Sequence, residues 1–307
     1  MSKSFINQAS TSQQKSYWDI LSKTIKIGII KSNMIPMFAG FTLAMYTYDV
    51  GIIESLPSAI LALIGSSFII AAAGSFNNLY ERDIDSIMNR TKDRPTVTGQ
   101  IKFKTVFFLG IALMVLGTIA LYFTTPLAAL LGLAGLFVYV YPYTMWSKRK
   151  TVYNTEIGSI SGAMPPLIGW AAVHPSILHP AILGLFIIMV IWQMPHFYAI
   201  AIRRRDDYRS ANIPMLPVVK GIRRTYIQTN VYLVLLILTS ILLNSLSLGL
   251  TLVALLLGTI WLGLSIYGYH KMDSTKWATI MFVYSLIHMT ILFSTVIIYS
   301  LINVIFH

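Results

Sequence analysis

Phe68-Ile69-Ile70-Ala71-Ala72-Ala73-Gly74-Ser75-Phe76-Asn77-Asn78-Leu79-Tyr80-Glu81-Arg82-Asp83-Ile84-Asp85 is the stretch on which the fold turns. Its apolar part reaches back to about residue 57, which makes the ~20 residues a helix needs to cross a bilayer. Its other end carries two amides and three carboxylates with no helix breaker between them and the apolar run. The segment therefore reads as a membrane span that delivers polar side chains to one face of the bilayer.

The same apolar signature recurs along the chain. Spans are expected near 27–48, 57–80, 105–123, 126–145, 155–173, 179–202, 226–246, 248–268 and 277–301. The chain of 307 residues is 56% hydrophobic and 11% charged, with mean hydropathy +0.69. A soluble domain carries about 25% charged residues. The expected fold is all-α: a tail over 1–24 that lies in the cytoplasm, then a single domain over 25–307 of nine transmembrane helices around a central cavity. With no cysteine, disulfides and thiolate chemistry are excluded.

Charge supplies the topology. All 23 Lys and Arg residues fall in the tail, at the start of the first span (Lys26 and Lys31), or in the loops after the second, fourth, sixth and eighth spans. Positive residues mark the cytoplasmic side, so the N-terminus is expected inside and the C-terminus outside a cell membrane. The net charge of +12 is explained by the same bias and implies no nucleic-acid partner.

With Asn77 set to zero on a helix, Asn78 lies at about 100°, Glu81 at about 40° and Asp85 at about 80°. Asp83, at about 240°, faces away. Two amides and two carboxylates on one face are hard oxygen donors of the kind Mg²⁺ takes, with phosphate and water completing its shell. A solvated helix end laced with Glu–Arg and Asp–Arg pairs is the simpler alternative. Arg90, Lys92 and Arg94 follow closely and suit an anionic ligand, or serve topology alone.

A second constellation closes the sixth span, Trp192-Gln193-Met194-Pro195-His196-Phe197, and runs on to Arg203 and Asp207. With His196 at zero, Gln193 lies at about 60°, Arg203 at about −20° and Asp207 at about 20°. These four are expected to share a face, although an interior histidine often does no more than satisfy a hydrogen bond. The loop after the fourth span adds Tyr143, Lys148, Arg149 and Lys150, cations able to clamp a leaving anion. The fifth span is rich in Gly, Ser and Pro and is expected to pack centrally, with Asn154 and Glu156 at its cytoplasmic mouth. Spans two and six both end in long mixed-charge loops, as an old duplication would.

On Asn77-Asn78…Asp83-Ile84-Asp85, Gly162-Ala163-Met164-Pro165-Pro166, Trp192-Gln193-Met194-Pro195-His196-Phe197 and Asn212-Ile213-Pro214-Met215-Leu216-Pro217, the chain resembles the UbiA superfamily of intramembrane prenyltransferases. Within it the chain is most similar to the haem O synthase branch, the protohaem IX farnesyltransferases. Three departures stand out. Glu81 replaces the usual Asp, Lys31-Ser32-Asn33 stands where Lys-Pro-Arg is usual, and Asp207 alone represents the second acidic motif, beside His196 and Arg203.

The resemblance implies transfer of a farnesyl group from farnesyl diphosphate to the 2-vinyl group of haem B, followed by water addition to give haem O. It implies Mg²⁺ on Asn78, Glu81, Asp85 and Asp207, and a catalytic set of these four with Lys148 and Arg149. Substrate would be bound by Lys31, Asn77, Arg90, Arg94, Tyr143, Trp192, Gln193, His196 and Arg203. Haem B enters as substrate, membrane lipid surrounds the enzyme, and a haem A synthase is the candidate recipient of product. A quinone-type aromatic prenyltransferase and a transporter with an intramembrane ion site are the competing readings.

Overall fold

The structure, a computed structural model, describes residues 16–306, so Lys3, Lys15 and most of the expected tail lie outside the described residues. Among the described residues it is all-helical, without strands. The elements are α1 (Tyr17–Thr24), α2 (Ile27–Thr47), α3 (Ile52–Tyr80), α4 (Arg82–Ile87), α5 (Phe103–Tyr122) and α6 (Pro126–Val138). After α6 comes a π-helical segment, Tyr139–Ser147. Then follow α7 (Asn154–Gly162), α8 (Met164–Ala171), α9 (Pro180–Arg203), α10 (Arg205–Ser210), α11 (Gly221–Thr239), α12 (Leu248–Lys271) and α13 (Ser274–Phe306).

Among the described residues, eight helices are long and apolar enough to cross a membrane. The expected span over 155–173 is not one of them, because it is split into α7 and α8 at Ala163. The cause is local. Pro165 and Pro166 have no N–H to give to the preceding turn, and proline is at home only in the first turn of a helix. The two halves still run antiparallel to α6 and the π segment. Gly158 packs on the Tyr143 ring at one end, and the Thr125 hydroxyl donates to the Ala171 carbonyl at the other, 2.7 Å away.

Gln193 splints the break. Its amide, almost fully buried, donates to the Ser159 and Met189 carbonyls at 3.0 Å each. A Cβ on Gly162 would collide with its oxygen. Helix α8 in turn lies hard against α2: an added Cβ on Gly40 would stand 1.9 Å from the Pro166 carbonyl oxygen, and one on Gly169 1.9 Å from that of Met37. Small residues let membrane helices approach closely, where dispersion replaces the missing hydrophobic drive. Large apolar side chains such as Phe108, Leu116, Leu130, Leu252 and Ile298 are exposed on the outer surface, as lipid-facing residues are.

The two long polar loops repeat one order of elements. Helices α3 and α9 each break after their last residue, at Glu81 (φ −88°, ψ 8°) and Arg204 (φ −117°, ψ 24°), into the six-residue helices α4 and α10. Each then passes through a single helical turn that begins with proline in its first positions, Pro95–Thr98 and Leu216–Val219. The loops meet: Ile84 and Met88 pack with Ala201, Ala211, Ile213 and Met215 in a small apolar cluster of their own. This cluster holds the ends of α3 and α9 together and caps one end of the bundle.

Candidate functional site

At that capped end four parts of the chain converge. Helix α3 ends in Asn77, Asn78, Glu81 and, across the break into α4, Asp85, whose N–H still donates to the Glu81 carbonyl at 2.8 Å. The helical spacing survives the break, and all four side chains are buried. From the end of the π segment comes Lys148, which forms an ion pair with Glu81. From the loop after α4 comes Arg94, which pairs with Asp85.

The junction of α1 and α2 supplies the third cation. Lys26 sits in the left-handed region at φ 56° and its ammonium donates to the Asn77 Oδ1. A non-glycine residue held there costs roughly 1–3 kcal/mol and is tolerated where the surroundings over-determine it. The Asn77 amide donates onward to the Thr144 hydroxyl at 2.9 Å, tying α3 to the π segment. The Asn78 amide donates to the Lys23 and Thr24 carbonyls at 3.1 and 2.8 Å, closing the end of α1 onto α3.

Lys26, Lys148 and Arg94 thus face Glu81 and Asp85, and the cluster carries an excess cation in a water-poor place. Burial pushes the Lys26 amine down to about 7, with Arg94 adding to the effect. Burial also pushes the Asp85 carboxyl up, against the pull of Arg94. Burial works on Glu81 in the same sense, but Lys148 and Lys26 overcome it and hold that carboxyl below its ordinary value. Cationic groups in excess of carboxylates in such a place can stabilise an anion.

Two oxygens of this cluster have no hydrogen-bond partner among the described residues: Asn78 Oδ1 and Asp85 Oδ1, both buried. Buried polar atoms in that state are uncommon and each needs an explanation. A hard divalent cation is one that suits the donor chemistry. Among the described residues no three acidic or histidine side chains are grouped closely enough to hold an ion by themselves. Mg²⁺ does not need that, since it commonly takes one or two carboxylates and fills its shell with water and substrate phosphate.

The other expected residues distribute unevenly. Arg149, next to Lys148, turns outward and forms a bidentate pair with Asp83 at 2.7 Å per bond, stacking over Tyr80. Asp83 is 62% exposed, so that pair stands outside the buried cluster. Arg90 is exposed. Lys31 is exposed too, and the lysine that reaches the site is Lys26, five residues earlier. Tyr143 lies under Lys148, its ring centre 5.8 Å from the ammonium, and 5.6 Å from the Tyr139 ring.

The second constellation does not form the single face its spacing predicts, because α9 stops at Arg203. Asp207, on α10, accepts from the Asn89 backbone N–H at 3.2 Å and so bridges the two loops. Gln193 turns to α7 as described. His196, Trp192 and Arg203 turn to α13 instead: the His196 ring stacks on Trp192, and Arg203 lies over Phe282 at 4.7 Å.

Sequence reasoning missed a further knot. The Glu156 Oε1 accepts from the Tyr198 hydroxyl at 2.6 Å, from Gln228 at 3.0 Å and from Tyr232 at 3.4 Å, which joins α7, α9 and α11. Only the polar character of Glu156 at a span mouth signalled it. Lys26 had no local signal, since a lysine just before a span looks topogenic.

With this geometry in place, the comparisons are specific. The UbiA prenyltransferase family profile matches residues 33–287. Protoheme IX farnesyltransferase 1 of Bacillus cytotoxicus is 67% identical over 296 residues, covering 96% of this chain and 97% of that one. Protoheme IX farnesyltransferase 2 of Lysinibacillus sphaericus is 62% identical, covering 94% and 91%. Among solved structures, one described as digeranylgeranylglyceryl phosphate synthase superposes with TM-score 0.73 at 15% identity, covering 92% and 98%. A UbiA homolog from Archaeoglobus fulgidus bound to GPP and Mg²⁺ superposes with TM-score 0.68 at 16% identity, covering 93% and 99%.

Proposed function

The chain belongs to the UbiA prenyltransferase family, and from that premise we propose that it transfers the farnesyl group of farnesyl diphosphate to the 2-vinyl group of haem B and, with addition of water, releases haem O. Relatives at 62–67% identity over nearly the whole chain carry the name protoheme IX farnesyltransferase, which favours haem as acceptor over a quinone precursor. The observation that carries the reading is the buried cluster of Lys26, Lys148 and Arg94 over Glu81 and Asp85. A transporter would be expected to place its ion site near the bilayer midplane, whereas this cluster sits where the spans end.

The allylic C–O bond ionises only if the departing diphosphate is stabilised. Lys148 and Arg94 supply fixed positive charge for it without reorganisation, and the arriving anion favours the charged form of Lys26. Mg²⁺, when held by Asn78, Glu81 and Asp85, would add Lewis-acid neutralisation of the same oxygens. The Tyr139 and Tyr143 rings offer π-faces to a developing allylic cation and keep early water away. The vinyl carbon attacks as a π-nucleophile, so the step requires no strong base. Water then closes the resulting cation to a hydroxyl and loses its proton.

In this reading the N-terminus and active site lie on the cytoplasmic side of the cell membrane, as the bias of Lys and Arg favours, with Asp207 helping to hold the loops closed. A haem A synthase would be the consumer of the product.

The direct test supplies haem B, farnesyl diphosphate and Mg²⁺ to the purified protein in lipid and reads product mass. A product heavier than haem B by one farnesyl group and one hydroxyl is expected. No such mass, with prenylated product formed only when an aromatic acid is supplied in place of haem B, overturns the haem acceptor.

The diverging neighbours Lys148 and Arg149 give a sharper test. Lys148→Ala removes a cation from the buried cluster and should lower kcat by about 10²–10³-fold, the range seen for a preorganised electrostatic donor. Arg149→Ala removes a largely exposed pair worth about 0–1 kcal/mol, and activity should fall less than about tenfold, the factor that 1.4 kcal/mol in a barrier represents. Equal losses in the two variants would show that Arg149 also meets the diphosphate.

A further inference from the structure

Ser285 of α13 is the point to which the Trp-Gln-Met-Pro-His segment of α9 is fastened. The Trp192 indole N–H donates to its carbonyl at 3.0 Å, and the His196 Nδ1 lies 2.7 Å from its hydroxyl. That hydroxyl also touches the Phe282 carbonyl, one turn earlier on the same helix. A carbonyl oxygen has no proton to give, so the serine proton goes there. A hydroxyl has only one proton. The contact with His196 must then be a donation from the imidazole, with Nδ1 carrying the hydrogen and Ser285 accepting.

The rest of the ring is equally constrained. Trp192 stacks on it with centroids 4.7 Å apart and planes at 19°, and Phe282 lies 5.2 Å away at 31°. Phe197 meets it edge-on at 5.1 Å. Nδ1 is taken, aromatic rings crowd the imidazole, and Nε2 has no partner among the described residues. Arg203, seven residues along α9, borders the same Phe282 ring. A seven-residue separation on a helix is roughly 10 Å. The α9–α13 contact therefore offers one unprotonated imidazole nitrogen and, about two turns away, one guanidinium.

We propose that Ser285 is a positioning residue: it fixes His196 in the Nδ1–H tautomer so that Nε2 is presented as an axial donor to the iron of haem B, with Arg203 available to a carboxylate at the rim of the macrocycle. Hydrogen bonding at one ring nitrogen sets which tautomer binds metal at the other and raises the basicity of the donor. This assignment rests on haem B being the acceptor. It deepens that reading by saying how the porphyrin is gripped, and it makes the haem iron a handle remote from the reacting vinyl carbon.

The test uses the full chain in lipid nanodiscs with haem B and without farnesyl diphosphate. Wild type should give a histidine-ligated spectrum with an Fe–imidazole stretch in the ferrous form, and His196→Ala should lose it. Ser285→Ala should weaken haem binding about 10–100-fold, the usual loss when an outer partner of a ligating histidine is removed, and should lower the Fe–imidazole frequency with the melting temperature unchanged. Ser285→Thr and Ser285→Val form an isosteric pair that differs only in the hydroxyl, so the comparison survives a poorly accumulating alanine variant. Threonine should restore affinity and frequency, and valine should not.

An unshifted frequency and affinity in both Ser285→Ala and Ser285→Val would overturn the assignment, as would a wild-type spectrum indifferent to His196→Ala. The farnesylation assay is read separately. Haem O formed by wild type with no sign of histidine ligation sinks this inference alone. A histidine-ligated haem that is never farnesylated sinks the proposed reaction and leaves the ligation standing.

Discussion

Asp85→Asn should reduce farnesyl transfer by about 10³-fold, at the upper end of what loss of one preorganised electrostatic group costs. The substitution preserves shape, removes the charge and replaces one carboxylate oxygen by an amide NH2. Asp85 is fully buried, its Oδ2 is paired with Arg94 and its Oδ1 is without a partner among the described residues. The variant therefore loses a donor for a divalent cation and leaves the Arg94 guanidinium uncompensated. Removing one member of a buried pair costs about 3–5 kcal/mol, so lost activity could be mistaken for lost fold. Arg94→Gln added to Asp85→Asn separates the two, because residues in contact do not behave additively. The double variant should regain membrane-extracted, monodisperse protein while transfer stays near background. Activity within about tenfold of wild type in the single variant would remove Asp85 from the machinery, since that is only about 1.4 kcal/mol of barrier.

That the carboxylates were legible in the sequence, and their cation partners only partly so, has a physical basis. Asn77, Asn78, Glu81 and Asp85 lie on one helical path, and the break at Glu81 keeps the i to i−4 bond that preserves their phase. Local periodicity is then sufficient. The same arithmetic fails beyond His196, because α9 ends at Arg203 and the ψ of 24° at Arg204 redirects the chain before Asp207. Charge next to a polar turn is a poor predictor of helix continuity. Lys26 was invisible for another reason: its φ of 56° uncouples α1 from α2, and the choice of Lys26 over Lys31 is made by Asn77, fifty-one residues away. Lys148 and Arg149 share one basic run yet serve different carboxylates, since neighbours on a helix point about 100° apart.

The split of the expected fifth span carries its own consequence for stability. Gly169→Ala should cost at least about 3 kcal/mol, the upper part of the range for overpacking. The new methyl has nowhere to go. It would stand 1.9 Å from the Met37 carbonyl oxygen and 3.0 Å from the Phe41 nitrogen, all backbone atoms of α2 that no rotamer change can move aside. Helices α8 and α2 must separate. A loss of that size lowers the melting temperature by roughly 6–12 °C on the scale of about 2–4 °C per kcal/mol for chains of this order of size. Gly28→Ala is the control, because an added Cβ there meets nothing within 4 Å. In a helix it should be neutral or stabilising by up to about 1 kcal/mol. Size-exclusion after graded heating reads both, and equal profiles would refute the close α2–α8 contact. The consequence extends to chemistry, because α2 begins immediately after Lys26. Moving α2 off α8 draws that ammonium away from Asn77. Gly169→Ala protein that survives below its melting point should therefore show a raised KM for farnesyl diphosphate, while Gly28→Ala protein should not.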